Sequence, residues 1–178
     1  MNCLRNKYNL NLLFWLIMLI SACKDEKPLL SKEKYDQTQR QLVEVNKILV
    51  RKDRQMIQGF IDRNQIEMQE SETGLWYTII EKGDGIASES GKQATITYRI
   101  GLLDGTECYN STIQGAKTFL IGRGGVESGL EEGILMLNAG GKAKFIMPPH
   151  LAYGLPGDGD KIPARAIIIY DVEVLSIE

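Results

Sequence analysis

The sequence predicts an α+β fold, in which a bent antiparallel sheet of five strands wraps around one short helix and follows an N-terminal helical segment. Residues 24–71 are polar and contain no glycine before Gly59, a composition that favours helix. After Gly74, short β-branched and aromatic runs alternate with glycine, asparagine and proline, as in strands joined by turns. One later segment instead carries apolar residues at helical spacing.

The first 22 residues are similar to a lipoprotein signal peptide. Arg5 and Lys7 form a short basic region before an apolar run over residues 10–20, which is about half as long as a bilayer-spanning helix. Small residues then precede Cys23, as in the lipobox of bacterial lipoproteins. We therefore predict a signal peptide over residues 1–22 and a lipidated Cys23, in the cell envelope facing the periplasm or the cell surface. A plain secretory signal with an incidental cysteine is the alternative.

Charge and cysteine content exclude some classes of function. A net charge of -2 over 178 residues argues against a nucleic-acid partner, which requires a basic patch. Cys3 lies in the predicted signal and Cys23 at the predicted anchor, so Cys108 is the one remaining thiol and no internal disulfide is expected. We interpret Cys108 as a small buried hydrophobic residue of a strand rather than as a reactive thiol.

Residues 23–73 form the segment between the predicted anchor and the strands. We expect one helix over residues 31–51 and a second helix, or a continuation, over residues 53–63. The apolar residues at mostly helical spacings are Tyr35, Leu42, Val45, Leu49, Met56, Ile57, Phe60 and Ile61. Two interpretations remain open, a solvated spacer and a helix through which two copies form a homodimer.

The remaining chain, residues 74–178, is predicted to be one domain. Its strands are predicted over residues 75–80, 94–103, 117–121, 142–148 and 166–177. An Asp-Gly pair, Asp104 and Gly105, is typical of a hairpin turn after the second of these strands.

One helix interrupts the strands. Ser128 and Glu131 have the spacing of a capping box, and two glycines at 140 and 141 are expected to end the helix. Leu130, Ile134 and Leu137 would then share one face, which is enough to pack a single helix across a sheet.

Three segments of this domain carry a specific resemblance. They read GKQATITYRIGLLDGTECYNST, TFLIGRGGVESGLEEGILMLNAGGKAKFIMPPHLAYG and IPARAIIIYDVEVLSI. In order and spacing they resemble the FK506-binding-protein (FKBP) family of peptidyl-prolyl cis-trans isomerases. The layout is similar to that of bacterial FKBP-type lipoproteins, some of which are associated with gliding motility. The resemblance implies an FKBP-like fold, proline-containing polypeptide clients, and neither a cofactor nor a metal.

The chemistry of such an isomerase fits the composition of the chain. Rotation about an X-Pro amide has a barrier of about 18–20 kcal/mol, and the twisted amide is less polar than the planar one. An apolar pocket that binds the twisted state therefore lowers the barrier without a nucleophile, a metal or a general base. His150 is the single histidine, and no hydrolase signature surrounds it.

The resemblance also implies the pocket residues. The positions implied to be catalytic are Tyr98, Tyr153, Ile162 and Tyr170. The positions implied to bind substrate are Tyr109, Asn110, Phe119, Val126, Glu127 and Leu130. In this assignment Tyr153 donates its O–H to the substrate carbonyl. Glu127 donates its backbone N–H to a ligand carbonyl while its side chain points outward, and Leu130 is the floor.

Three positions depart from the family pattern. Leu130 stands where the family commonly has Trp, Asn110 where it has Asp, and Glu127 where it has a hydrophobic residue. Loss of the indole removes apolar contact with the proline ring. Two functions therefore remain open: a membrane-anchored isomerase that assists the folding of exported proteins, and a weakly active or inactive chaperone or assembly module of the cell envelope.

Overall fold

A computed structural model describes residues 32–178 of the chain. The predicted signal peptide and the predicted lipidation site at Cys23 lie outside these residues. Residues Val45–Glu178 form one compact unit, which begins well before residue 74, the predicted start of the isomerase domain. The reason is that Ile57 and Ile61, from the preceding helix, are buried together with Trp76.

The N-terminal segment is one continuous helix, α1, Lys32–Asn64, so a helix in this part of the chain is confirmed. No proline or glycine stands near residue 52, and the second predicted helix is a continuation of the first. The helix ends where Gln65 adopts a φ of 52° and its N–H donates to the Asp62 carbonyl at 3.3 Å. Within residues 32–178, no helix combines the length and apolarity needed to cross a membrane.

The strands form a single antiparallel sheet with more members than predicted. The described strands are β1 (Gln69–Glu70), β2 (Trp76–Glu81), β3 (Gln93–Leu102), β4 (Glu107–Asn110), β5 (Lys117–Leu120), β6 (Lys142–Met147) and β7 (Ile168–Ile177). Their order is β1-β2-β6-β7-β3-β4, with β5 also paired to β3. The five predicted strands are β2, β3, β5, β6 and β7. The two additional ones, β1 and β4, are too short and polar to show an alternating pattern.

Strand β3 gives the sheet its bend. Its first residues, Gln93 to Ile96, pair with β5, whereas Arg99 to Gly101 pair with β4. Its pairing with β7 shifts register between Thr95 and Ile96, and such bulges increase local twist. The sheet therefore curves around the helix that packs on it.

The helix on the sheet is α3, Ser128–Ile134. Leu130 and Ile134 of the helix are fully buried, as is Leu137 just after its end, so the apolar face is confirmed for the first two residues only. Gly133 lies so close to β6 that an added Cβ would come within 2.4 Å of the Phe145 ring. The close approach of helix and sheet therefore depends on a glycine.

The predicted ends of α3 are wrong. Ser128 is the first helical residue and no side chain caps the helix, because Glu131 instead accepts a hydrogen bond from the N–H of Gly124 at 2.9 Å. The helix stops at Ile134, before the two glycines. The other short helices are α2, Ser111–Gln114, and a 3-10 turn, Pro149–Leu151.

Candidate active site

Two tyrosines from neighbouring strands form one side of a pocket. Tyr98 of β3 and Tyr170 of β7 have ring centroids 5.9 Å apart, with the planes tilted by 42°. Tyr170 is fully buried, whereas Tyr98 is half-buried. Because β3 and β7 are paired residue by residue in this region, the sheet itself fixes the spacing of the rings.

Apolar side chains from three other elements close the pocket. Leu130 of α3 is fully buried, Ile162 from the loop before β7 is 2% exposed, and Phe119 of β5 is 7% exposed. All three belong to the same buried cluster as Tyr170, and Val126 packs against that cluster. The structure thus brings together most of the residues implied by the sequence.

An acidic residue holds the loop that carries Ile162. Asp158 accepts hydrogen bonds from the Tyr109 hydroxyl and from the N–H groups of Ile162 at 2.8 Å and Asp160 at 2.9 Å. Desolvation by itself would raise the pKa of Asp158, but the hydrogen bonds outweigh it, so the pKa is lowered. The hydrogen bond from the Tyr109 hydroxyl to Asp158 raises the pKa of Tyr109 to about 12. Gly157 has a φ of 74°, and a Cβ there would lie 2.2 Å from the Ile162 carbonyl.

The Glu127 side chain does not point outward, and that expectation is wrong. The side chain is 6% exposed, and its Oε2 lies 3.7 Å from Nζ of Lys117. Burial raises the pKa of Tyr153, and a hydrogen-bonding interaction with Glu127 adds to the effect. Burial and the charge of Glu127 likewise raise the pKa of Tyr170. The carboxylate therefore faces the phenols from inside the pocket.

Lys117 of β5 is a pocket residue that the sequence reasoning missed. Its Nζ donates to the Tyr170 hydroxyl at 2.9 Å and lies 5.0 Å from the Tyr98 ring centroid. The available signal was the two-residue period of a strand, since Lys117 lies two residues before Phe119 and shares its face.

Two hydrogen-bond donors stand at the rim of the pocket. One is the Tyr153 hydroxyl, whose pKa is raised above its ordinary value by burial. The Glu127 carbonyl accepts hydrogen bonds from Leu130 and Glu131, whereas its N–H has no acceptor among residues 32–178. A cavity of about 350 Å³ adjoins both donors. Its lining residues are Lys117, Gly124, Gly125, Val126, Glu127, Ala152 and Tyr153.

Asn110 has partners close to it in the chain. Its Oδ1 accepts the Thr112 N–H at 2.9 Å and caps α2, while its Nδ2 donates to Glu107 at 3.3 Å. These bonds orient the amide toward its own turn. The preceding strand residue Cys108 is 2% exposed, as expected for a small hydrophobic residue, and burial raises the pKa of its thiol.

Comparison with known proteins decides which family has this arrangement. The family model described as FKBP-type peptidyl-prolyl cis-trans isomerase matches residues 85–175. The chain belongs to this FKBP family. Within residues 32–178, no group of three or more His, Cys, Asp or Glu side chains could hold a metal ion.

Relatives within the FKBP family include bacterial and eukaryotic proteins. The FKBP-type peptidyl-prolyl cis-trans isomerase FkpA of Escherichia coli (strain K12) is 36% identical over 108 residues, which are 61% of this chain but only 39% of FkpA. FK506-binding protein 2 of Dictyostelium discoideum is 40% identical over 93 residues, 52% of this chain and 70% of that protein.

Solved FKBP structures agree with the described fold. The crystal structure of FkpA from Escherichia coli aligns with a TM-score of 0.62 at 29% identity, over 93% of this chain and 81% of that one. The crystal structure of AtFKBP13 aligns with a TM-score of 0.59 at 32% identity, over 63% of this chain and 99% of that one. The FKBP-like α+β architecture is thus confirmed.

Proposed function

We propose that this chain is a peptidyl-prolyl cis-trans isomerase, anchored to a membrane outside the cytoplasm, that assists the folding of exported proteins. The observation that carries the catalytic part is the pocket itself. Tyr98 packs against the apolar cluster that contains Tyr170 and Leu130, while Tyr153 and Glu127 line a cavity of about 350 Å³. Family membership supports the same reaction.

In this proposal the prolyl ring packs against the half-buried Tyr98, above the buried Leu130. The pocket removes water from the amide, which favours the less polar twisted state over the planar one. Tyr153 donates to the substrate carbonyl and Glu127 donates its N–H to a neighbouring carbonyl, so that the peptide is held on both sides of the rotating bond. No side chain forms a covalent bond with the substrate.

The test is an isomerisation assay on short Leu-Pro and Phe-Pro peptides. We expect residues 24–178 to accelerate the slow phase and FK506 to inhibit it. Ile162→Ala is expected to reduce the rate, since it removes part of the apolar wall. If a folded sample does not accelerate isomerisation, the catalytic proposal is wrong.

The ion pair in the pocket favours a second candidate function. Lys117 and Glu127 are charged groups next to the space that a prolyl ring would occupy, and Leu130 gives the ring less contact than an indole does. A weakly active module that binds unfolded segments as a chaperone is therefore the alternative. Suppressed aggregation of an unfolded client without faster prolyl isomerisation would favour the chaperone.

The envelope location is supported by the sequence of the first 23 residues. A basic start, an apolar run and small residues before Cys23 are the features of a lipidated N-terminus. Labelling cells with a palmitate analogue tests the anchor. Label is expected on the wild-type chain in the membrane fraction and not on Cys23→Ala, and unlabelled wild-type protein would argue for a plain secretory signal.

A homodimer through α1 is the proposed oligomer. Tyr35, Leu42 and Met56 recur at multiples of seven residues along the helix and are about half exposed, which is the repeat of one of the two seam positions of a coiled coil. Sedimentation of the wild type and of Leu42→Glu tests the proposal. We expect the wild type to be a dimer and Leu42→Glu to be a monomer. A monomeric wild type would contradict the proposed dimer.

A further inference from the structure

An ion pair joins helix α1 to the loop before β7. One guanidinium nitrogen of Arg165, Nη2, lies 3.0 Å from Oδ1 and 2.9 Å from Oδ2 of Asp53. The two side chains are 31% and 10% exposed. Charge-assisted hydrogen bonds of this kind are among the strongest in proteins, and removing one partner leaves a buried charge unpaired.

Arg165 has a backbone conformation that needs support. Its φ is 57°, in the left-handed region that residues other than glycine seldom adopt. Such strain persists where surrounding contacts impose it. The ion pair with Asp53 is such a contact, because it holds the side chain of the strained residue against a helix.

The strained residue also closes the pocket loop. The Arg165 N–H donates to the carbonyl of Gly154 at 3.2 Å, and Gly154 directly follows Tyr153. The chain between these two residues carries Ile162, the apolar wall of the pocket. A displacement of Arg165 would therefore move both ends of the loop, Arg165 itself and Gly154 next to Tyr153.

Apolar packing fixes the same part of the loop to α1. Ile167, two residues after Arg165, is buried with Ile57 and Ile61 of the helix. Asp53, Ile57 and Ile61 lie at successive intervals of four residues and share one face of the helix. The helix therefore contacts the end of the loop through one ion pair and one apolar cluster.

We infer that Asp53 of α1 is a positioning residue for the active site, acting through Arg165 on the loop that presents Tyr153 and Ile162. The inference rests on the proposed isomerase function. It assigns to the N-terminal helix a part in catalysis in addition to any role as a spacer or in dimerisation.

The experiment compares Asp53→Asn with the wild type in the full chain. Asparagine keeps the volume and removes the charge, so the loop should loosen while the core remains. We expect kcat/KM for a Leu-Pro peptide to fall roughly tenfold, less than the roughly hundredfold that a misplacement of about 1 Å can cost. Arg54→Gln is the matched control: Arg54 is the next helix residue and pairs with Glu70 of β1 rather than with a residue of the loop.

A double-mutant cycle separates positioning from general destabilisation. If Asp53 acts through Tyr153, Asp53→Asn should lower the rate much less in the Tyr153→Phe background than in the wild type. Multiplying effects would overturn the part of the inference that runs through Tyr153. Arg165→Gly combined with Asp53→Asn leaves no unpaired charge and relieves the strained φ, so this folded variant should show the same loss as Asp53→Asn.

Amide hydrogen exchange, measured without substrate, distinguishes this inference from the proposed function. The Arg165 amide should exchange roughly tenfold faster in Asp53→Asn than in the wild type or in Arg54→Gln, because local opening frees its bond to Gly154. Unchanged exchange would overturn the positioning role even in an active enzyme. An inactive wild type with accelerated exchange in Asp53→Asn would refute the isomerase and leave Asp53 as the residue that holds the loop.

Discussion

Lys117 donates a hydrogen bond to the hydroxyl of Tyr170 at 2.9 Å, so a cation from an edge of the sheet lies against the most deeply buried ring of the pocket. The second partner of Lys117 is Glu127, at 3.7 Å. An apolar pocket is what the twisted amide requires, and this pocket contains a pair of opposite charges instead of two apolar groups. We therefore expect the pair to affect both stability and turnover.

Loss of Lys117 alone should be costly. Lys117→Met would leave the Glu127 carboxylate, 6% exposed, without its cation. We expect the free energy of unfolding to fall by about 2–3 kcal/mol, less than for a fully buried pair because the lysine is partly exposed. Urea denaturation monitored by circular dichroism measures the change.

The matched control replaces both charges. Lys117→Met with Glu127→Leu leaves no buried charge, and such apolar replacements are often neutral or stabilising. We expect the double variant to regain part of the stability that Lys117→Met loses, but not all of it, because the buried Tyr170 hydroxyl still lacks its donor. We also expect a faster isomerisation of Leu-Pro peptides. A double variant as unstable as the single one would show that the pair is not the reason for the loss.

Tyr153→Phe should slow isomerisation with little effect on folding. It removes the hydroxyl that donates to the substrate carbonyl and keeps the ring that packs in the pocket. We expect kcat/KM to fall roughly tenfold, less than the roughly hundred- to thousandfold loss caused by removing an oxyanion-hole donor, because the carbonyl of a rotating amide develops no full negative charge. The measurement is the protease-coupled peptide assay, and equal activity of the two proteins would remove Tyr153 from the mechanism.

The pH dependence of the pocket loop should follow Asp158. Its pKa is lowered in the folded protein, so its stabilising effect is complete above the unfolded pKa of about 3.9 and is lost as the pH falls through the folded value. We expect the Ile162 amide to lose protection from hydrogen exchange below about pH 4. Asp158→Asn should be less protected at neutral pH and show no such acid transition; persistence of the transition would assign it to another carboxyl group.

The sequence predicted the strands and the pocket far better than it predicted the charges in the pocket. Long alternating runs such as β3 and β7 have a period that fixes which side chains share a face. The side-chain direction of Glu127, which directly precedes α3, depends on Lys117 of strand β5. The pair between Asp53 and Arg165 spans 112 positions, and no local pattern contains such a contact.

Gly133→Ala tests whether the close packing of α3 on β6 sets the pocket. A Cβ at this position would lie 2.4–2.7 Å from three atoms of the Phe145 ring, and the ring is fully buried, so the helix itself must move. We expect a loss of about 1–3 kcal/mol in stability from the overpacking. A displaced helix would also shift Leu130, so isomerase activity should fall with it.

Gly125→Ala is the control for Gly133→Ala. Gly125 has nothing within 4 Å of an added Cβ and no positive φ, so the same chemical change is made without a steric clash. Thermal unfolding of both variants measures the difference, and the Gly125 variant should unfold close to the wild type. If the two variants unfold alike, the contact between Gly133 and Phe145 does not limit how closely the helix packs, and the floor of the pocket must be fixed by the apolar face of α3 alone.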